Sequence, residues 1–321
     1  MSSLANATTI TYSIGNSTNF VAAILIFVVG VFGVICNSSI MVAYIIDPDK
    51  TSFNLICFFR ATINVYALVT TFLGVFLTST ILGHSIFSEA FESWNLNLSM
   101  TLYLGNEYQI AMVALNRFCA LFFPRHYAKI FAIRSTLLVL AVFVLYRLVV
   151  MIYMTDVDIS RGCYYSFSVE SLTWAYPLNP MCLFEDNIMT IILATFIFCT
   201  CLNMVTFSKI IKFYRSFQSH DRDTQRRIKK NALLFFQTVL QDSLYIIDMA
   251  FTYKLSMLFD NRFWTFVSGT LVWECLHAFD GFIMLMFNDR LALFRGRNES
   301  PITSSIVAPA RFPVHQLGSV S

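Results

Sequence analysis

The stretch FVAAILIFVVGVFGVICNSSIMVAYII, residues 20–46, carries no charged side chain. It is long enough to cross a lipid bilayer as a helix, for which roughly 20 apolar residues suffice. Six further apolar stretches follow, so that the candidate spans are Phe20–Ile46, Asn54–Leu82, Leu96–Phe123, Thr136–Thr155, Ile188–Phe213, Asn231–Tyr253 and Phe263–Phe287. The sequence therefore predicts an all-α membrane protein with a bundle of seven transmembrane helices.

The composition of the chain supports a membrane protein and gives no sign of catalysis. Hydrophobic residues make up 57% of the sequence and charged residues 13%, whereas a soluble domain usually carries about 25% charged residues. We find no glycine-rich phosphate loop, no nucleophile motif and no His, Cys and carboxylate spacing typical of a metal site. The expected partner is the lipid bilayer, and we expect no enzyme activity, cofactor, metal or nucleic acid.

The distribution of Lys and Arg predicts that the N-terminus lies outside. In that orientation 17 of these residues fall on the inner side and three on the outer side, which is the bias that sets topology in membrane proteins. We divide the chain into an outer segment (1–19), a seven-helix domain (20–295) and a disordered cytosolic tail (296–321). Charged and apolar residues alternate at helical spacing from Asn288 to Arg295, which predicts a short amphipathic helix on the inner surface.

Glycosylation signals give an independent test of this orientation. Asn6, Asn16 and Asn97 each begin an Asn-X-Ser/Thr sequence on the predicted outer side, and we expect all three to be glycosylated. The signals at Asn37 and Asn298 lie within a span and in the cytosolic tail, so we expect them to stay unmodified.

The longest outer loop, about 156–187, contains two of the eight cysteines and several aromatic residues. Cys163 and Cys182 face the oxidising side of the membrane, where disulfides form. The other six cysteines lie in spans or near the inner face. We predict a Cys163–Cys182 disulfide and a loop that folds over the mouth of the bundle.

Ionisable side chains within spans are costly and by default mark function or a specific pairing. Arg60 lies only six residues into the second span, and we predict that it extends to the inner surface. Glu107 and Arg147 lie at comparable depth in the outer half; they either form a structural ion pair or anchor a ligand. The predicted ligand site in the outer half is lined by Glu107, Arg147, Asp242, Asp248 and Glu274.

Three segments resemble the nematode serpentine receptors of class X. They are LNRFCALFFPRHY (115–127), QDSLYIID (241–248) and RFWTFVSGTLVWE (262–274) continued by DGFIMLMFN (280–288). The resemblance implies rhodopsin-like topology and a chemosensory receptor in the plasma membrane, including that of a sensory cilium, which couples to a heterotrimeric G protein. The alternative is a seven-span ligand-gated channel or transporter.

The same resemblance assigns roles to particular positions. It implies that coupling to the G protein involves Asn116, Arg117, Phe118, Tyr127, Arg226 and Arg227. Asn37, Asn64 and Asp280 match polar positions that act as structural or switch residues in such receptors. Rhodopsin-like receptors have an acid before the arginine, whereas this chain has Asn116. We therefore expect signalling without ligand, unless another polar contact holds Arg117.

Overall fold

Seven long helices make up most of the protein in the computed structural model. It describes residues 17–48, 50–175, 182, 187–216 and 222–287, with backbone alone for 187–189, 191, 213–216 and 222–231. The long helices are α1 (Ser17–Ile46), α2 (Ser52–Leu82), α3 (Glu89–Phe122), α4 (Ile133–Ser160), α5 (Asn187–Ser216), α6 (Arg222–Tyr253) and α7 (262–286). A short helix, Pro124–Ile130, follows α3, and a 3-10 turn, Leu255–Leu258, follows α6. Each predicted span falls on one of the seven helices.

Local sequence signals set the ends of several helices. The side chains of Thr51, Ser88 and Asn261 each accept a hydrogen bond from the backbone N–H three residues on, and they thereby cap the N-termini of α2, α3 and α7. The C-terminal end of α2, on the predicted outer side, is closed by Gly83, which has a φ of 76° and adopts the left-handed conformation that glycine allows. The predicted amphipathic helix after α7 and the predicted tail lie outside the described residues.

The helices form a closed bundle in which α3 occupies the central place. α3 contacts α2, α4, α5 and α6, while α1 packs against both α2 and α7 and so closes the ring. Among the residues that the structure describes, four helical segments are long and apolar enough to cross a membrane by length and composition alone, namely α1, α2, α4 and the part of α5 from Ile192 to Lys212. Helices α3, α6 and α7 instead contribute most of the buried charged side chains.

The burial pattern is the reverse of that of a soluble protein. Large apolar side chains cover the outside, among them Phe27 (54% exposed) on α1 and Val149 (66%) on α4. Side chains of Arg60, Glu274 and Asp280 are buried inside. Because a large apolar exterior needs lipid or a partner to cover it, this pattern agrees with a protein embedded in a bilayer.

Two of the helices widen into π-helical segments in their outer halves, which the sequence did not predict. These segments are Ala67–Phe76 in α2 and Val267–Leu271 in α7. The two helices meet there through Phe72 and Trp273, whose ring centroids are 5.1 Å apart. π-Helical turns inside α-helices occur frequently at functional sites.

The outer loop between α4 and α5 forms a small β-hairpin, the one β-structure within the described residues. Strand β1 (Ser166–Ser168) pairs antiparallel with β2 (Thr173–Ala175), with Phe167 opposite Trp174. The predicted disulfide between Cys163 and Cys182 is confirmed and ties the base of the hairpin to the segment before α5. The fold is therefore helical as predicted, except for this hairpin.

Candidate functional site: a buried polar network and the two ends of the bundle

A buried ion pair joins α2 to α7 near the middle of the bundle. Arg60 Nη2 lies 2.5 Å from Asp280 Oδ1, and Arg60 Nε donates to Oδ2 at 3.2 Å. Arg60 is 2% exposed and Asp280 is fully buried. The prediction that Arg60 extends to the inner surface is therefore wrong: a carboxylate across the bundle offers the guanidinium a bidentate partner, so it stays inside.

Asn64 extends this ion pair into a larger network. Its Nδ2 donates to Asn37 Oδ1 at 3.1 Å and to Asp280 Oδ2 at 2.8 Å. Its Oδ1 accepts from Asn106 Nδ2 at 3.0 Å and from His277 Nδ1 at 2.8 Å. One asparagine thus links α1, α2, α3 and α7.

A glutamine brings the sixth helix into the same network. Gln241 Nε2 donates to Asp280 Oδ1 at 2.8 Å. Asn37 Nδ2 also donates to the backbone oxygens of Gly33, at 2.9 Å, and His277, at 3.1 Å. The three predicted polar positions Asn37, Asn64 and Asp280 are therefore brought together, and five helices meet in the network.

The close approach of α1 and α7 at this network depends on a glycine. A Cβ atom at Gly281 would lie 2.3 Å from Asn37 Nδ2, a distance that real Cβ atoms do not reach. The roles of Arg60 and Asn106 were missed in the sequence. The ion pair of Arg60 could have been predicted from the presence of an acid, Asp280, in another span, since opposite charges inside a bilayer tend to pair.

Of the predicted ligand residues on α3 and α6, Asp248 lies on the outer side of this network, whereas Glu107 and Asp242 directly follow the network residues Asn106 and Gln241. Tyr103 donates its hydroxyl proton to Asp248 Oδ2 at 2.8 Å, whereas Glu107, one turn below Tyr103, makes no hydrogen bond to the described residues. Asp242 follows Gln241 directly and accepts from Asn203 Nδ2 on α5 at 2.8 Å. Asp242 therefore lies level with the central network rather than at the mouth.

The remaining two ligand candidates face other parts of the bundle. Arg147 borders a cleft between α2, α3 and α4, and no ion pair joins it to Glu107 in the described part of the chain. Glu274 is fully buried beside Gly30 of α1, and neither carboxylate oxygen has a hydrogen-bond partner among the described residues. The five predicted ligand residues thus face several different parts of the molecule.

The β-hairpin covers the outer mouth, as the loop composition predicted. The Phe167 ring stacks on Phe76 with centroids 4.3 Å apart, and Trp174 packs edge-on against Phe76 at 4.6 Å. Thr270 of α7 donates to the Leu172 carbonyl oxygen at 2.7 Å. Leu172 and Trp174 are 0% and 8% exposed, so the hairpin forms part of the main hydrophobic core.

Side chains of two neighbouring helices hydrogen-bond to the backbone of the hairpin and fix its rim. A carboxylate oxygen of Glu92 on α3 accepts from the Phe167 N–H at 2.6 Å. Arg262 of α7 donates to the carbonyl oxygens of Val169 and Glu170 at 2.7 and 2.6 Å. The hairpin is therefore held on both sides of the mouth.

The inner end of α3 holds three of the predicted coupling residues, Asn116, Arg117 and Phe118. The Arg117 guanidinium lies over the Phe53 ring, 5.2 Å from its centroid, and its three nitrogens find no acceptor among the described residues. Asn116 does not bind it, since Asn116 Nδ2 donates to Ser52 Oγ at 3.3 Å and its Oδ1 accepts from the Tyr127 hydroxyl at 3.4 Å. The Phe118 ring stacks on Phe122.

Some of the predicted glycosylation and coupling residues lie outside the described residues, and one glycosylation site is buried. Asn6 and Asn16 are not described, and neither are the side chains of Arg226 and Arg227. Asn97 lies within α3 and its Nδ2 atom, to which a glycan would attach, is enclosed. This geometry speaks against the predicted glycosylation of Asn97.

Comparison with known proteins gives one family for this architecture. Residues 27–288 match the model of the family described as serpentine type 7TM GPCR chemoreceptor Srx. The chain is 24% identical over 212 residues to serpentine receptor class X 45 of Caenorhabditis elegans, a match that covers 60% of this chain and 57% of the relative's length. Because the family match covers most of the bundle, including the Asn116-Arg117-Phe118 triplet and the polar network, the chain belongs to the Srx family of serpentine chemoreceptors.

Proposed function

We propose that this chain is a chemosensory G-protein-coupled receptor of the plasma membrane with seven spans and its N-terminus outside. It binds a small molecule or peptide in the outer half of the bundle and signals through the inner ends of α3, α5 and α6. The observation that carries the proposal is the polar network, which joins five helices between the covered mouth and Arg117. Because such networks have few alternative hydrogen-bonding arrangements, a shift of one helix at the network forces the other helices to shift as well.

The candidate ligand contacts are the membrane-embedded charges Glu107, Arg147, Asp242, Asp248 and Glu274. Glu107 and Glu274 support this role best, since neither has a hydrogen-bond partner in the described residues although each is buried. Buried ionisable groups without a partner are costly, and a ligand group that paired with one of them would remove that cost. Neutralising each acid in turn, as Glu→Gln or Asp→Asn, should change ligand potency at the residues in contact. Unchanged potency in all of these variants would contradict this site.

The candidate G-protein contacts are Arg117 with its neighbours Asn116 and Phe118, Tyr127 in the short helix that follows, and the basic residues Arg226 and Arg227 near the start of α6. The Arg117 guanidinium supports the assignment because its N–H groups have no acceptor in the described part of the chain. A backbone carbonyl or carboxylate of the G protein would provide one. The positive charge of the third inner loop would help to attract an acidic partner surface.

The proposal is tested by measuring G-protein activation in cells that express the full chain and receive a panel of odorants and peptides. Arg117→Ala should abolish activation while surface expression is unchanged. Arg125→Ala is the matched control, because Arg125 is an exposed arginine on the same inner side. Normal activation by Arg117→Ala would contradict the coupling assignment, and a ligand-gated current without G-protein activation would favour a channel.

A further inference from the structure

Lys209 on α5 makes two contacts with the inner end of α3. Its Nζ atom donates to the Leu121 carbonyl oxygen at 2.8 Å and lies over the Phe122 ring, 3.9 Å from the ring centroid. α5 continues to Ser216, about 10 Å beyond Lys209 at 1.5 Å per residue. A lysine this close to the inner surface can extend its ammonium group into water. Here the ammonium group binds α3.

The last turn of α3 offers a cation a suitable place to bind. Leu121 lies in that turn, where carbonyl oxygens lack partners within the helix, and the helix dipole favours positive charge there. The face of the Phe122 ring also attracts a cation. This ring stacks on Phe118, with the two centroids 4.5 Å apart. Lys209 therefore holds α5 next to a residue of the predicted coupling triplet.

The inner end of the bundle is closed around Arg117 in this structure. All three guanidinium nitrogens of Arg117 are enclosed, so a protein partner reaches them only after this end of the bundle rearranges. The two contacts of Lys209 are present in the closed arrangement. Contacts that exist in one arrangement and not in another stabilise the first relative to the second.

The same helix is also attached to α6. Asn203 Nδ2 donates to Asp242 Oδ2 at 2.8 Å, and the Phe207 ring stacks on Phe235 with centroids 5.0 Å apart. α5 is therefore held between α6 and the inner end of α3. A shift of α6 that moves α5 would strain or break the contacts of Lys209.

We propose that Lys209 is a positioning residue for G-protein coupling, which holds α5 against the inner end of α3 while Arg117 is enclosed. Release of its ammonium group from Leu121 and Phe122 favours the open arrangement that exposes Arg117. This inference deepens the proposed function by naming a residue that regulates the coupling site. It rests on that function for the step from opening to G-protein activation.

The first test measures G-protein activation without ligand in cells that express the full chain at matched surface levels. Lys209→Met keeps the apolar stem of the side chain and removes the ammonium group. We expect basal activation to rise about tenfold, the change in the ratio of open to closed receptor for the loss of one hydrogen bond to a charged group. A merely structural role predicts the opposite, because damage to the fold lowers activation.

Three further variants separate the ammonium group from the rest of the side chain. Lys209→Arg keeps a cationic donor and should stay near the wild-type level. Phe122→Leu removes the ring but keeps the carbonyl contact, so its rise should be smaller than that of Lys209→Met. The matched control is Lys212→Met, at an exposed lysine three residues further along α5, and it should behave as wild type.

A distance measurement tests the inference without a G protein. Spin labels are attached through Ala120→Cys on α3 and Ser208→Cys on α5, two exposed positions, in purified full-length receptor whose other accessible free cysteines are replaced by alanine. Double electron–electron resonance reports the distances between the labels. We expect a longer component to appear in Lys209→Met, whereas Lys212→Met should match the wild-type distribution.

The two measurements distinguish failure of the inference from failure of the proposed function. If ligands activate the wild-type receptor but Lys209→Met lacks either the rise in basal activation or the longer distance, the inference alone fails. An equal rise in Lys212→Met would overturn it as well. Failure of the proposed function looks different: the longer distance appears in Lys209→Met, yet neither this variant nor wild type with any ligand activates a G protein.

Discussion

At the scale of single residues, three arginines inside the bundle differ in what their guanidinium groups contact. Arg60 has a carboxylate partner, Asp280. Arg117 lies on an aromatic ring and Arg147 borders a cleft, and neither has an acceptor in the described part of the chain. Unpaired donors are tolerated where a molecule from outside satisfies them. We therefore assign Arg60 a structural role in the bundle. For Arg117 and Arg147 we propose contacts with a molecule from outside.

We predict that Asp280→Asn destabilises the receptor through Arg60. The amide still accepts a hydrogen bond from Gln241, but the buried guanidinium loses its counter-charge, and breaking a buried pair typically costs about 3–5 kcal/mol. Thermal unfolding of purified receptor should show a lower midpoint for Asp280→Asn. The double variant with Arg60→Met should lose less than the sum of the two single changes. The control Asp156→Asn, at an exposed carboxylate of α4, should leave the midpoint unchanged. If the effects of Asp280→Asn and Arg60→Met on the midpoint simply add, the pairing of these two residues is contradicted.

We predict that Asn116→Asp lowers signalling without ligand. Asn116 is engaged by Ser52 and Tyr127, and no carboxylate in the described part of the chain forms an ion pair with Arg117. A new carboxylate beside Arg117 would stabilise that state by about 1 kcal/mol, equivalent to roughly a fivefold fall in the active fraction. Basal G-protein activation at matched surface levels measures the change. The control Ser52→Ala removes a contact of Asn116 without adding charge and should not lower basal G-protein activation. Unaltered basal activation in Asn116→Asp would contradict the stabilisation of the resting state by a carboxylate at this position.

At the scale of elements, the hairpin depends on one close approach to α7. A Cβ atom at Gly269 would lie 2.5 Å from Thr173 Oγ1, which is too close for the hairpin to keep its place. We predict that Gly269→Ala loosens the hairpin and that the double variant with Thr173→Ala restores it, since the clashing hydroxyl is gone. Hydrogen exchange of residues 163–175 is the measurement. Faster exchange in the single variant alone is expected; equal exchange in both variants would mean that the hairpin does not rest on α7 here.

The long helices were predictable from the sequence, and the hairpin and the pairing of Arg60 were not. Apolar stretches such as Phe20–Ile46 locate a helix by length alone, because backbone polar groups in a bilayer must be satisfied within the helix. The hairpin is only three residues per strand, and its stability comes from contacts of Phe167 and Trp174 with distant helices. Arg60 was misplaced because its depth depends on Asp280, 220 residues further along the chain. Asn37, Asn64 and Asp280 were found through the resemblance, whereas their hydrogen bonds required the structure.

At the scale of the whole molecule, the proposed orientation has a direct test. If the N-terminus lies outside, Asn6 or Asn16 enters the compartment where glycans are added, while the signals at Asn37 and Asn298 do not. We predict that an endoglycosidase lowers the apparent mass of the wild-type protein and has no effect on the double variant Asn6→Gln/Asn16→Gln. Asn298→Gln is the control and should behave as wild type. A wild-type protein without glycans would contradict this orientation.

The ion pair between Arg60 and Asp280 also constrains how the protein is made. Its two partners are 220 positions apart, and ribosomes add about 5–20 residues per second. The second helix therefore enters the membrane roughly 10 to 45 s before its carboxylate is synthesised. During that interval the guanidinium must be tolerated by lipid, by water or by the insertion machinery. A chain that stops before the seventh helix would leave Arg60 without this carboxylate, so we expect such a truncated chain to be less stable than the full one.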